Sequence, residues 1–391
     1  MEAAMLLCPS QSVIPVIVLS FMLFLNPITY AQESPVSGYI PISASNIDQL
    51  ELIKSWEPDG KLLSPRMGVA SKIATSANVA LVENRAQGLW GILWLETQRL
   101  SEAYRFVTDQ VINRTTISPD GLFAAVADYN NLEIWNVDQG KQFLRIESGN
   151  PNIEVSGIEF SPQSDRLLVV LSEYAGEGSE AGVYLYDLTS GDLIGKLEQP
   201  DAKLAVFSPD GKRVAAAGSD GTIFLWGIEN DDLDLLRVPD ENSPSYLGYV
   251  SSDLIAVSYS SESGLETYTE YWDVIHRKRL DLKISQRANI YLEEGIAQIQ
   301  LDDLASFTLW DVIKDRELTT LSNVGVIVDI NVAGNLVTTP GIRFFGLDTG
   351  KLMREISEPN LSAAYFSFDN RYAILSSGKG YIQLWGVSDP S

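Results

Sequence analysis

One cysteine, Cys8, and one histidine, His276, are all that 391 residues hold of the two side chains on which metal sites and nucleophilic enzymes most depend. A single cysteine makes an intrachain disulfide impossible and leaves no thiolate cluster for zinc or iron. A single histidine means that a Ser-His-Asp constellation would have to use His276. That residue stands in the run Ile275-His276-Arg277-Lys278-Arg279, which reads as an exposed bend rather than a dry cleft. The sequence also lacks G-x-S-x-G, H-E-x-x-H, Walker and G-x-G-x-x-G elements and a D-x-D-x-D-G calcium loop. No catalytic residue, cofactor or metal ligand is therefore assigned. Cations are scarce as well: 28 Lys and Arg stand against 52 Asp and Glu, a formal net charge of −24. A chain so acidic repels nucleic acid and anionic membrane surfaces and favours cationic partners.

Long apolar runs are absent but for VIVLSFMLFL at residues 16–25. Asn26-Pro27 breaks this run, and Thr29-Tyr30-Ala31 offers small residues at the −3 and −1 positions of a cleavage site. The layout is that of a secretory signal peptide over 1–31, too short for a comfortable span, although its first residues carry no Lys or Arg. Export to a periplasmic or extracellular space follows as the expectation, with an uncleaved N-terminal anchor as the alternative. Residues 32–41 read as a short linker. Cleavage would remove Cys8 and leave a mature chain without cysteine.

What the chain has is a phrase repeated eight times. It appears as ILWLET around Trp94, LEIWNVDQG around Trp135, VYLYDLTSG around Tyr186 and IFLWGIEN around Trp226. It returns as TEYWDVIHR at Trp272, FTLWDVIKD at Trp310, IRFFGLDTG at Phe345 and IQLWGVSD at Trp385. The steps between these anchors are 41, 51, 40, 46, 38, 35 and 40 residues. A period near 40, with each apolar strand ending in an aromatic residue and a turn, predicts a single closed all-β propeller over 42–391, because one such unit cannot bury its own faces. Eight four-stranded blades are expected, with seven as the alternative. In the fourth unit the strands a to d read as 204–208, 213–218, 222–228 and 233–238. Pro209-Asp210-Gly211 turns a into b, and Asp220-Gly221 turns b into c. The eighth unit stops after its c strand, and the strand-like IDQLELIKSW at 47–56 is expected to pair with 381–387 and close the ring. All eight anchors are expected in the core between blades. Trp90 is either a second core residue or a surface contact, and Trp56 is expected to be buried only if the closure is right.

The SPDG bends, the aromatic-ended c strands and the segment ISASNIDQLELIKSW together resemble the WD-repeat family, and among its members the exported bacterial ones with loosely kept repeats. The resemblance spans about 42–391. It implies a rigid platform for proteins or peptides. The chain departs from the family in having no Gly-His dipeptide before any blade. The family's buried Asp-His-Ser/Thr-Trp network therefore cannot form, which leaves aromatic and aliphatic packing to join the blades.

Charge sorts by rim. In a four-stranded blade the b–c and d–a bends share one rim, and the a–b and c–d bends the other. The b–c bends carry Asp128, Glu173, Glu177, Glu180, Asp220, Glu262, Glu266, Asp302 and Asp303, with only Arg85 and Lys379 as cations. The d–a bends add Asp201, Asp240, Glu241 and Glu358, with Lys203 nearby. The opposite rim mixes His276–Arg279, Lys141, Lys212, Lys314, Arg316, Lys351 and Arg371 with carboxylates. The expected function is a non-enzymatic, monomeric scaffold whose acidic loop rim takes a protein or peptide partner of positive charge. A propeller hydrolase built on paired carboxylates and a metal-binding envelope protein are the alternatives.

Overall fold

The computed structural model describes residues 38–57, 74–75, 79–84, 88–101, 104–105, 111–173, 180–197, 202–230, 232–237, 243–260, 267–282, 295–301, 303, 305–358, 361–367, 369–377 and 381–389. The leader read over 1–31 lies outside them. Every long strand is antiparallel to its neighbour, and the strands fall into eight sheets in chain order. Blade 4 is the plainest: Ala202–Phe207, Arg213–Gly218, Thr222–Gly227 and Leu233–Arg237 lie side by side as strands a, b, c and d. These bounds agree with the sequence reading to within two residues. Blade 6 shows three described strands, Ile296–Gln300, Phe307–Asp311 and Arg316–Leu321.

Strand alternation decides how the blades join. Successive side chains leave opposite faces of a strand, so each sheet has one apolar set for the blade before it and another for the blade after it. In blade 1, Ala80 and Val82 pack with Ile374 and Leu384 of blade 8. Their neighbours Val79 and Leu81 pack with Ala124 and Val126 of blade 2. The same division recurs around the molecule. Among the described residues the buried ones form eight clusters, one at each contact between consecutive blades, including that between the eighth and the first. The ring is thus closed with eight blades, and the seven-bladed alternative is ruled out. Each fully buried aliphatic side chain contributes about 1.5–3 kcal/mol relative to leaving it in water.

Closure uses the N-terminal segment, as expected, with one difference in detail. Glu51–Trp56 pairs antiparallel with Ile382–Ser388, Glu51 opposite Gly386 and Trp56 opposite Ile382. Residues 47–49 are not extended. They form a single 3-10 turn that carries Ile47 into the core. Pairing also begins further upstream, in the stretch read as a linker: Tyr39–Ile40 lies against Ser388 and Val387 on the same edge. Between these two strands the chain leaves the sheet and wedges Ile42, Ile47 and Leu50 among Leu336, Ile342 and Phe344 of blade 7 and Ala373 and Leu375 of blade 8. Ile42 N donates to Asn370 O at 2.7 Å, Ala44 N to Gly334 O at 2.8 Å, and Arg354 Nη1 to Ile47 O at 2.6 Å. The segment is a clasp over two blades as well as a fourth strand. Trp56 is half-buried against the contact between blades 8 and 1.

All eight aromatic anchors lie on c strands, but one is out of phase. Trp135, Tyr186, Trp226, Trp272, Trp310, Phe345 and Trp385 each pack toward the preceding blade. Trp94 faces the following blade, half-exposed, under the Arg99 guanidinium at 4.0 Å. Leu93 holds the equivalent inward position against blade 8. The aromatic residue in ILWLET drew the sequence reading one residue past the true anchor. Trp90 is a core residue, stacked on Tyr104 at 4.7 Å and edge-on to Trp135 at 5.2 Å.

Candidate partner-binding rims

The two rims are built from different bends, and backbone hydrogen bonds fix which bends share a rim. In blades 2, 3, 5 and 6 the residue two beyond the c-strand anchor donates to the a–b bend of its own blade: Val137 N to Leu122 O, Leu188 N to Asp165 O, Val274 N to Asp253 O and Val312 N to Gly295 O. The a–b and c–d bends therefore lie together. At the other end Ser148 N, after strand d of blade 2, donates to Asn130 O in its b–c bend. The b–c and d–a bends form the second rim.

Four a–b bends share one device. Ser118, Ser208 and Ser367 each donate a hydroxyl proton to the carboxylate two residues on, Asp120, Asp210 and Asp369, at 2.6, 2.6 and 2.7 Å. Ser161 reaches Asp165 at 2.8 Å. The same Ser oxygens accept from the backbone N–H of the residue opening strand b. The bond from Ser208 holds the Asp210 carboxyl below the usual carboxylate range. The c–d bends use the residue after the anchor. Asn136, Asp187, Asp273 and Asp311 accept from backbone N–H groups three residues on, at 2.8–3.0 Å. The Asp of each Trp-Asp pair is thus a turn-forming acceptor.

On the b–c rim the sequence-assigned carboxylates divide. Asp128 is fully buried. It accepts from Asn130 N and Asn131 N, both at 2.7 Å, and from Asn131 Nδ2 at 3.0 Å. It is therefore a structural hub of its bend and offers nothing to a partner, which corrects its assignment as a contact. Asp220 is exposed and accepts from Thr222 N and Oγ1 at 2.8 and 2.9 Å. Asp303 is exposed, and hydrogen bonds led by that from the Ser306 hydroxyl, at 2.6 Å, lower its pKa. Glu173 ends strand b of blade 3, and Glu180 lies just before strand c of the same blade, both half-exposed. Glu177, Glu262, Glu266 and Asp302 lie outside the described residues. So do Arg85, Asp201, Asp240, Glu241 and Lys379. Among the described residues no three His, Cys, Asp or Glu side chains converge as a metal site.

Two groups of acceptors went unread in the sequence. Glu133, Glu270 and Gln383 accept from the indole N–H of the Trp two residues on, at 3.0, 3.2 and 2.8 Å. The pattern Glu/Gln-x-Trp puts acceptor and donor on one face of a strand and could have revealed them. Glu159 and Asp329, on the innermost strands of blades 3 and 7, accept from Phe207 N and Phe366 N of the next blade at 3.3 and 2.7 Å. Both precede the bend residue (Ser161 or Asn331) by two, where blades 2, 4 and 8 have Thr116, Val206 and Tyr365. Burial pushes the Glu159 carboxyl up to about 8.

Known proteins agree with this architecture. The family described as "WD domain, G-beta repeat" matches residues 194–227, from strand d of blade 3 to strand c of blade 4. The sequence repeat is thus offset by one strand from the blade, the same offset that leaves Glu51–Trp56 to complete blade 8. WD repeat-containing protein VIP3 of Arabidopsis thaliana is 32% identical over 142 residues, 32% of this chain and 41% of the relative. The WD repeat-containing protein 26 homolog of Drosophila melanogaster is 32% identical over 124 residues, 30% of this chain and 19% of the relative. The matched stretches thus span less than half of either relative's length. The crystal structure of the computationally designed Ika8 protein superposes with a TM-score of 0.58 at 15% identity, over 84% of this chain and all of that one, a likeness of fold alone. The chain is thus a closed eight-bladed β-propeller that carries a WD repeat over residues 194–227.

Proposed function

We propose that this propeller is a non-enzymatic scaffold whose b–c and d–a rim receives a protein or peptide partner of positive charge. The observation that carries the reading is the outward carboxylate set of that rim: Asp220 and Asp303 exposed, Glu173 and Glu180 half-exposed, on loops held by packed sheets. Loops fixed in this way meet a partner with little ordering cost, and opposite charge speeds the encounter. WD-repeat propellers typically serve as protein-interaction platforms, which supports the coarser reading. The apolar run at 16–25 followed by Thr29-Tyr30-Ala31 supports export as part of the same proposal.

The test is capture by the full chain and by a variant carrying Glu173→Lys, Glu180→Lys and Asp220→Lys, each over a series of salt concentrations. The proposal expects a partner held by the native chain, released as salt rises and lost by the variant. A partner held equally by both, without salt dependence, would refute the acidic rim as the site.

A further inference from the structure

The opposite rim contains its own control, because the c–d bend is repeated around the ring. The residue three beyond the inward anchor stands at the tip of each bend. It is Glu96, Asp138, Thr189, Glu229 and Asp348 in blades 1, 2, 3, 4 and 7. In the adjacent blades 5 and 6 it is Ile275 and Ile313, which are 53% and 62% exposed. Two neighbouring bends thus raise an isoleucine into water where their counterparts carry a polar residue. Ile313 also leans over the a–b bend of its blade, 3.2 Å from where a side chain on Gly295 would begin, and this position in turn lies 3.7 Å from Val250 of blade 5. The backbone departs from the glycine pattern at these two bends, as it does in blade 1, where Gln98 holds φ at +52°. Arg277 and Asp315 hold φ at +52° and +46° where blades 2, 3 and 7 use Gly140, Gly191 and Gly350. A non-glycine residue in this region carries a conformational cost and is uncommon.

At the c–d bends of these two blades three pairs are arranged with the carboxylate inward and the basic side chain outward. His276 is 69% exposed beside Asp273 at 22%, Lys314 65% beside Asp311 at 10%, and Arg279 58% beside Glu270 at 7%. Lys278 and Arg316 are exposed as well, and Arg277 is paired with Asp234 of blade 4. Asp253, on the a–b bend next to Ile275, is 67% exposed and 3.9 Å from Arg213, and Asp281 and Glu317 are exposed carboxylates at the edge of the group. An approaching molecule meets two isoleucines framed by cations.

We infer that the c–d bends of blades 5 and 6 form a second docking surface, for a segment of a partner protein that presents apolar side chains flanked by carboxylates. Charge complementarity selects an acidic segment. The layout of the rim selects a segment over a bilayer: a flat anionic membrane meeting these tips would also meet Asp138, Glu229 and Asp348 on the equivalent bends, whereas a segment confined to two blades avoids them. This surface is separate from the acidic rim and stands or falls independently of it.

The test begins with a random-peptide display library selected on the full chain. Peptides that enrich are titrated against the native chain and two variants, Ile275→Ser with Ile313→Ser, and Lys278→Glu with Arg316→Glu. The altered side chains are exposed, so both variants are expected to melt like the native chain. The expected result is a class of peptides with Leu, Ile, Phe or Val among Asp and Glu. Their affinity falls about tenfold or more in each variant, and stays unchanged when Glu173, Glu180 and Asp220 become Lys. Failure of any such class to enrich, or equal binding by the Ile275→Ser, Ile313→Ser chain, overturns the inference. So does binding of phosphatidylcholine–phosphatidylglycerol vesicles through the two isoleucines in place of peptide.

Discussion

Serine and aspartate carry the bends, and their contribution is measurable one residue at a time. Ser208 is buried and links Asp210 to the start of strand b. Ser208→Ala leaves that carboxylate and the Arg213 N–H without this partner, so denaturant unfolding should show a loss of about 1–3 kcal/mol. Glu159 gives a pH signature. Its ordinary value is 4.5, and burial moves it to about 8 against the opposing pull of the Phe207 N–H. Folding therefore favours the protonated form. This contribution is complete below pH 4.5 and is lost as pH rises through about 8. Melting temperature should fall over that interval, and Glu159→Gln should flatten the fall. A native profile that the substitution leaves unchanged would remove Glu159 from the explanation. Neither role was visible as chemistry in the sequence. Ser208 was read as the end of strand a and Asp210 as part of the turn, and Glu159 was one acidic residue among 52. Only its place in the repeat sets it apart.

Strands were legible because the repeat writes each of them several times. The a, b, c and d segments of blade 4 and the closing role of the N-terminal strand came from periodicity and turn residues alone. Errors arose where two signals competed. Trp94 outranks Leu93 as an aromatic anchor, but Leu93 has the correct phase on the strand. Tyr39–Ile40 is too short for alternation to show, and it is strand only because the edge of Ile382–Ser388 is there to pair with. The clasp should act as an element. Deleting residues 42–57 removes Ile42, Ile47 and Leu50 from the contact between blades 7 and 8 and exposes the Ile382–Ser388 edge. The truncated chain should melt well below the full chain and self-associate more readily. Equal melting of the two would contradict the closure described above.

Over the whole molecule, the eight interblade clusters of described residues join the blades into a closed ring with two rims built from different bends. Formal charge in the sequence could not separate carboxylates that face water from those used by the bend. Asp128 and Asp220 look alike in the chain. One is consumed by hydrogen bonds inside its bend, whereas the other stands exposed on the rim. The bend at Ile275 was legible from its run of charges, but the apolar tips of blades 5 and 6 show only when the bends are aligned around the ring. Amide hydrogen exchange of the full chain, alone and with its captured partner, tests the account of the acidic rim most directly. Slowed exchange is expected at the b–c bends around Glu180, Asp220 and Asp303, with the c–d bends around Asp138, Glu229 and Asp348 unchanged. Protection confined to the c–d bends, or none on either rim, would contradict it.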